Sequence, residues 1–177
     1  MKDLLKGTKT EANLQAAFAG ESQARNRYSY FSDMAKSEGY DILAKFFEDT
    51  ATNEKNHAKV WFKLLHGNIM PHSKENLADA IKGENAESTL MYPTFAAVAR
   101  EEGFETIAGL FDEVATIEAL HEKQCQQILD SLNAGKALEF VSPDISCMDC
   151  GHELKSKEGL ENCPVCGAGA AFFMQKK

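Results

Sequence analysis

The chain has 177 residues, of which 44% are hydrophobic and only 4 are proline, and its formal net charge is −8. That length allows one domain with a real core, or a medium domain plus a small one. The acidic balance excludes a nucleic-acid backbone as the main partner, since that would require a basic face. No apolar run reaches the length of a signal peptide core or a membrane span, so a cytoplasmic protein without membrane contact is expected.

Residues 1–9 read as a frayed lead-in, and Thr10 with Asn13 offers cap chemistry for a helix running to about Lys36. Its inward stripe is Leu14, Phe18, Glu21, Arg25, Tyr28, Phe31 and Ala35, in which Glu21 is an interruption. Gly39 stops it. A second helix, from about Asp41 to His66, carries Leu43, Phe47, Thr50, Glu54, His57, Trp61 and Leu64 on one side. After the connection Gly67 to Ser73, a third helix starts between Ser73 and Gly83 and runs to about Glu102. Glu84 and Glu87 share a face there, and Pro93 is expected to bend it. A fourth helix follows Gly103, with the stripe Ile107, Phe111, Val114, Glu118, His121, Cys125 and Ile128, and ends at Asn133-Ala-Gly135. Residues 136–143 read as a linker to a module spanning 144–177.

The second and fourth helices are copies. With a constant offset of 64, Ala35 pairs with Ala99, Gly39 with Gly103, Ala44 with Ala108, Phe47 with Phe111, Glu54 with Glu118 and His57 with His121. A Glu and a His three apart on a helix point the same way, so each copy presents a carboxylate and an imidazole to one place. The stripes predict that Glu21, Glu54, Glu84, Glu87, Glu118, His57 and His121 lie in the interior of one four-helix bundle covering residues 1–135. Unpaired interior carboxylates cost several kcal/mol or more each, and two divalent ions would offset them. A Glu from each of two helices plus Glu-x-x-His from each of the other two is the ligand set of di-iron or di-manganese bundles. At the offset of 64, Tyr28 pairs with Tyr92, but Glu21 pairs with Asn85, between Glu84 and Glu87. The repeat leaves both as candidates. A seventh ligand opposite an imidazole would let an iron exchange ligands when its charge changes, because anionic oxygen favours the ferric ion.

Cys147-Met-Asp-Cys150 and Cys163-Pro-Val-Cys166 form two knuckles, a spacing suited to one metal rather than to disulfides. So short a module needs a tetrahedral four-thiolate metal to fold. Alone, the pattern favours zinc. Joined to a di-iron bundle it favours iron, which passes single electrons, with zinc as the alternative.

Phe18-Ala-Gly-Glu21, Arg27-Tyr28, Glu54-Lys-Asn-His57, Gly83-Glu84-Asn-Ala-Glu87, Met91-Tyr-Pro93, Glu118-Ala-Leu-His121 and the four cysteines resemble the rubrerythrins over nearly the whole chain. The resemblance implies an all-α fold, a ferritin-like four-helix bundle followed by a rubredoxin-like domain. It implies that Glu54 and Glu118 bridge two non-haem irons and that Glu21 and Glu84 are terminal ligands. His121 would be a permanent ligand, with Glu87 and His57 alternating between the oxidised and reduced states. Tyr28 and Tyr92 resemble tyrosines that hydrogen-bond ligand carboxylates, and core filling is the other reading. Two positions depart from the family pattern: Ser146 stands where an aromatic residue is usual, and His152 where a tyrosine is.

The function this implies is a reductive peroxidase that turns hydrogen peroxide into water in oxidative-stress protection. One iron in the four-cysteine site would relay electrons from an external donor such as a rubredoxin or a reductase. A homodimer is implied, with the four-cysteine centre of one chain near the di-iron site of the other. The alternatives are a ferritin-like ferroxidase or iron-binding protein, and an electron carrier with zinc at the four cysteines. His66, His72 and His152 are read as solvated, Cys125 as a small buried hydrophobe, Trp61 and Met91 as core, and Lys176-Lys177 as a charged tail.

Overall fold

The computed structural model describes residues 2–156 and 158–175, so the Lys176-Lys177 tail lies outside the described residues. The fold class is the one predicted: the long elements are all α-helical, and a rubredoxin-like four-cysteine module follows them. The chain forms two compact units, residues 1–71 and 72–177.

The first unit is a helical hairpin, α2 (Lys9–Ser37) and α3 (Asp41–Leu65), preceded by α1 (Lys2–Leu5), a short helix in what reads as a lead-in. The cap of α2 is Thr8 rather than Thr10. Its hydroxyl accepts from Glu11 N–H at 3.1 Å, and the Glu11 carboxylate reaches back to Gly7 N–H at 2.7 Å. This Thr-x-x-Glu pattern satisfies two free donors reciprocally, which Thr10 with Asn13 does not.

The turn closing the hairpin follows from glycine. Gly39 takes φ +82, which costs a glycine nothing, and places Tyr40 N–H on Ala35 O at 2.8 Å and Gly39 N–H on Lys36 O at 3.1 Å. The second unit repeats it. Gly103 takes φ +84, with Phe104 N–H on Ala99 O at 2.7 Å and Gly103 N–H on Arg100 O at 3.0 Å.

That second unit contains α4 (Ser73–Ala86), a π-helical turn (Glu87–Met91), α5 (Tyr92–Glu101) and α6 (Glu105–Ala134). The third predicted helix is therefore interrupted by a widened turn just before Pro93. A proline ring clashes with the carbonyl four residues back, and a wider turn relieves that clash. The small side chains form the helix-pair seams: Ala35, Ala44, Ala51 and Ala58 in the first unit, Ala96, Ala99 and Ala108 in the second, all buried. Ser32 donates to Ala44 O at 2.8 Å across the first seam, and its repeat counterpart Ala96 is fully enclosed in the second. Close backbone approach is what alanine permits. The larger members of the predicted stripes stand at the margin, with Phe31 and Phe95 at 46% and 45% exposure.

After Gly135 closes α6 in the left-handed conformation, the chain runs without regular structure to the module. It is strapped to α6 on the way: Gln124 Nε2 donates to Val141 O at 2.8 Å, and Val141 N–H donates to Gln127 Oε1 at 2.6 Å. In the module, β1 (Ile145–Cys147) pairs antiparallel with β2 (Phe173–Gln175), setting Cys147 opposite Phe173. Cys147, Leu154, Cys163 and Phe173 form its small core.

Candidate metal centres

Four sulfurs converge at the module's centre. The Sγ atoms of Cys147 and Cys166 lie 3.7 Å apart, as do those of Cys150 and Cys163, and all four fall within 4.8 Å of one another. A disulfide would need about 2.05 Å. A tetrahedral ion bonded at about 2.3 Å to four thiolates puts neighbouring sulfurs about 3.8 Å apart, so the spacing fits one such ion. Each knuckle is built alike. Gly151 N–H donates to Cys147 O and Gly167 N–H to Cys163 O, both at 2.9 Å, and both glycines sit at positive φ. Burial pushes the Cys150 and Cys166 thiols upward. In the Cys163 thiol burial opposes ionisation, and backbone N–H groups at Cys166 and Val165 outweigh it, holding this thiol below the ordinary range.

The helices supply two further groups, Glu21 with Glu54 and His57, and Glu84 with Glu118 and His121. Their geometries are nearly congruent. His57 Nδ1 lies 2.9 Å from Glu54 Oε2 and 3.8 Å from Glu21 Oε2. His121 Nδ1 lies 2.8 Å from Glu118 Oε2 and 3.7 Å from Glu84 Oε2. Donors sharing one ion at about 2.0–2.2 Å must be about 3 Å or more apart, and both groups have that spacing. Each helix pair carries the same aromatic set. Tyr28 and Phe31 pack on Phe47 at ring distances of 6.0 and 5.5 Å, and Tyr92 and Phe95 pack on Phe111 at 6.0 and 5.7 Å.

Within each helix pair by itself these ligands are only partly covered. Among the described residues no polar or charged side chain is fully buried; the four clustered carboxylates are partly covered, and His57 and His121 are 56% and 40% exposed. A helix pair seals only its alanine seam, and the ligand stripe stands at the seam's edge. Partial cover still perturbs the groups. Burial first, then the neighbouring Glu118 carboxylate, raises the Glu84 carboxyl. Hydrogen bonds to Glu21 and His57 hold Glu54 low. Burial, then the charges of Glu118, Glu87 and Glu84, raise the Tyr92 phenol.

The π turn resolves the choice the repeat leaves open. Upstream of it the repeat continues at an offset of 63, which pairs Asn13 with Asn76, Leu14 with Leu77, Ala17 with Ala80, Gly20 with Gly83 and Glu21 with Glu84. Downstream the offset is 64. The single extra residue is the widened turn at Glu87–Met91. Glu84 is therefore the counterpart of Glu21, and the structure places it with Glu118 and His121. Glu87 opens the π turn and has no counterpart in the first copy. Asn85 turns away and donates to Glu122 at 3.0 Å.

Of the histidines read as solvated, His66 and His152 are engaged, and His72 is exposed. His66 Nδ1 lies 2.7 Å from Phe62 O, and the backbone N–H of His72 donates to Glu75 at 2.9 Å as α4 begins. His152 is 15% exposed, with Nδ1 3.5 Å from Glu113 Oε2 on α6. Its neighbour Gly151 faces Ile117 and His121 on the same helix. Nothing in the sequence periodicity pairs a knuckle with α6, so this contact was not legible. Cys125 is half-buried, and burial followed by the Glu84 charge raises its thiol, which suits a packing role.

The rubrerythrin family model matches residues 12–69 and 75–161. The chain belongs to the rubrerythrin family. It is 41% identical over its whole length to the rubrerythrin of Porphyromonas gingivalis, covering 94% of that protein. It is 39% identical to the rubrerythrin of Nitratidesulfovibrio vulgaris over 96% of this chain and 95% of that one. A solved nigerythrin, described as partially reduced, aligns with 94% of this chain and 86% of its own at 28% identity, with a TM-score of 0.43. The carboxylate–histidine groups and the four thiolates of this rubrerythrin-family chain suit iron. Among the described residues no helix is long and apolar enough to cross a membrane.

Proposed function

We propose that this chain is a reductive peroxidase, converting hydrogen peroxide to water with electrons that enter through an iron at the four cysteines. The observation that carries this reading is the congruence of the two Glu/Glu/His groups, one per helix pair, in a chain that also holds a preformed four-thiolate site. In our reading both groups serve one two-iron centre, with Glu54 and Glu118 bridging, Glu21 and Glu84 terminal, and His121 a constant ligand. Two ferrous ions there would supply the two electrons that O–O cleavage requires. His57 and Glu87 are read as alternatives at one ion. Glu87 sits where the repeat carries its extra residue, which supports an asymmetry between the two halves. Tyr92, held protonated by burial and three nearby carboxylates, can donate a hydrogen bond to a carboxylate as its charge changes, and Tyr28 occupies the matching position.

The external donor is proposed to be a one-electron protein such as a rubredoxin, or a reductase. The working form is proposed to be a cytoplasmic homodimer. Anaerobic mixing of the fully reduced, iron-loaded protein with stoichiometric peroxide, and separately with dioxygen, tests the reading. Peroxide should oxidise the protein much faster. Oxidation by peroxide no faster than by dioxygen would contradict it, and growth of a large iron-filled assembly would favour a ferroxidase instead.

A further inference from the structure

Among the described residues one enclosed side-chain polar atom has no hydrogen-bond partner, Nε1 of Trp61 on α3. Trp61 is the only tryptophan of the chain. The side chain as a whole is half-buried, yet its indole N–H is shut off from solvent. Buried donors are nearly always paired, because an unpaired one forfeits the hydration it had in the unfolded chain. An enclosed orphan of this kind points to an acceptor that arrives in another state of the protein.

The helix decides which acceptor is within reach. Residues four apart share a face, and helical side chains lean back over the preceding turn. On that face the turn before Trp61 carries His57. Within its helix pair His57 is the least covered member of its group, at 56% exposure, so its ring has room to turn. Its Nδ1 stands 2.9 Å from Glu54 Oε2 and 3.8 Å from Glu21 Oε2, the spacing of donors to one ion. In a neutral imidazole the nitrogen that gives up an ion is left with a free lone pair, which only a donor satisfies. Ionised carboxylates cannot do this. An indole N–H can, and it never accepts.

The repeat supplies the contrast. At the offset of 64, Trp61 falls on Cys125, four residues after His121. A thiol is a weak donor, and His121 is the imidazole read as a constant ligand. The strong donor therefore stands only in the half whose imidazole is read as exchanging. The packing around the two halves is otherwise alike, with Tyr28 on Phe47 and Tyr92 on Phe111 both at 6.0 Å.

We propose that Trp61 is a positioning residue that competes with iron for His57. When the imidazole leaves the ion on oxidation, the indole N–H pairs with the freed nitrogen and holds the ring off the site. This rests on the reading of His57 and Glu87 as alternative ligands at one ion, and it gives that exchange a regulator. No bond of the indole breaks, and its proton stays on Nε1. The hydrogen bond favours the oxidised form, so Trp61 lowers the potential of the two-iron pair.

The test uses the full-length, iron-loaded protein. Ultraviolet resonance Raman spectroscopy reads the hydrogen bonding of the indole N–H, and with one tryptophan per chain the signal has one source. The band should report a bonded N–H in the oxidised protein and an unbonded one in the reduced protein, and His57→Ala should hold it unbonded in both. Trp61→Phe keeps a ring and removes the donor. It should shift the exchange equilibrium roughly three- to tenfold toward the reduced form, and the upper end is a rise of about 59 mV in a one-electron midpoint. Cys125→Ala should leave that midpoint where it was. Equal midpoint shifts in Trp61→Phe and Cys125→Ala would overturn the proposal, as would an oxidised-state band unaffected by His57→Ala. If Trp61→Phe does not fold, the Raman comparison on the unmodified protein decides alone. X-ray absorption that counts the same imidazole ligands in both oxidation states would sink the exchange reading itself, whereas exchange with a constant indole band would overturn the role of Trp61 alone.

Discussion

Cys163→Ser should unfold the C-terminal module and leave the helical units standing. Two of the four core residues of the module, Cys147 and Cys163, are themselves ligands, which leaves Leu154 and Phe173 as its enclosed apolar side chains. Burying these contributes on the order of 1.5–3 kcal/mol each. A four-thiolate ion binds with roughly 10–16 kcal/mol in comparable zinc modules, several times what the two enclosed side chains contribute. The sulfurs already stand 3.7 Å apart, so each of the four bonds carries a share of that energy. Hydrogen exchange at the β1–β2 pairs Ser146–Met174 and Cys147–Phe173 would report the module, and far-ultraviolet circular dichroism would report the helices. Loss of strand protection with helical signal retained is expected. Strands that stay protected in a metal-free Cys163→Ser protein would refute the claim that the metal holds the fold.

Glu54→Ala and Glu118→Ala should each abolish the paired site, and retention of two irons outside the four cysteines in either variant would refute the bridging assignment. His57→Ala is expected to disturb mainly the reduced state, so unchanged reduced-state spectra and peroxide rate would count against ligand exchange with Glu87. In metal-free protein the Glu84 carboxyl is raised, so its contribution to stability is fully present below the ordinary glutamate range and is lost as pH rises through the raised value. Denaturant midpoints should therefore fall across that window in the metal-free protein, and Glu84→Gln should flatten the change. Gly39→Ala and Gly103→Ala should each cost about 1–2 kcal/mol, because both positions need a left-handed backbone and nothing crowds an added Cβ; a neutral result by urea titration would show that the turns relax.

Gly39 and Gly103 made the hairpins readable, since each follows an apolar helical stripe and closes the same turn. Glu54-x-x-His57 and Glu118-x-x-His121 were readable because period 3.6 places them on one face and the repeat aligns them. What failed was set by backbone detail or by long-range contact. The widened turn before Pro93 inserts one residue, so a single offset of 64 sets Glu21 against Asn85 instead of Glu84. Thr8 caps α2 through a Thr-x-x-Glu pattern that is present in the sequence beside the competing Thr10 and Asn13. His152 looked like a loop residue because its partner Glu113 lies on a helix far away in sequence. Within each helix pair the ligand stripe stands at the edge of the seam, since small alanines, not the aromatic residues, fill it.

The most direct test of the central claim is metal analysis joined to Mössbauer spectroscopy on iron-57-loaded, anaerobically prepared protein. The account predicts two irons per chain in an oxygen- and nitrogen-ligated pair, together with one iron in a tetrahedral four-sulfur environment. Two irons with zinc at the four cysteines would contradict electron entry through that site, and an unpaired single iron among the carboxylates would contradict the two-iron centre itself.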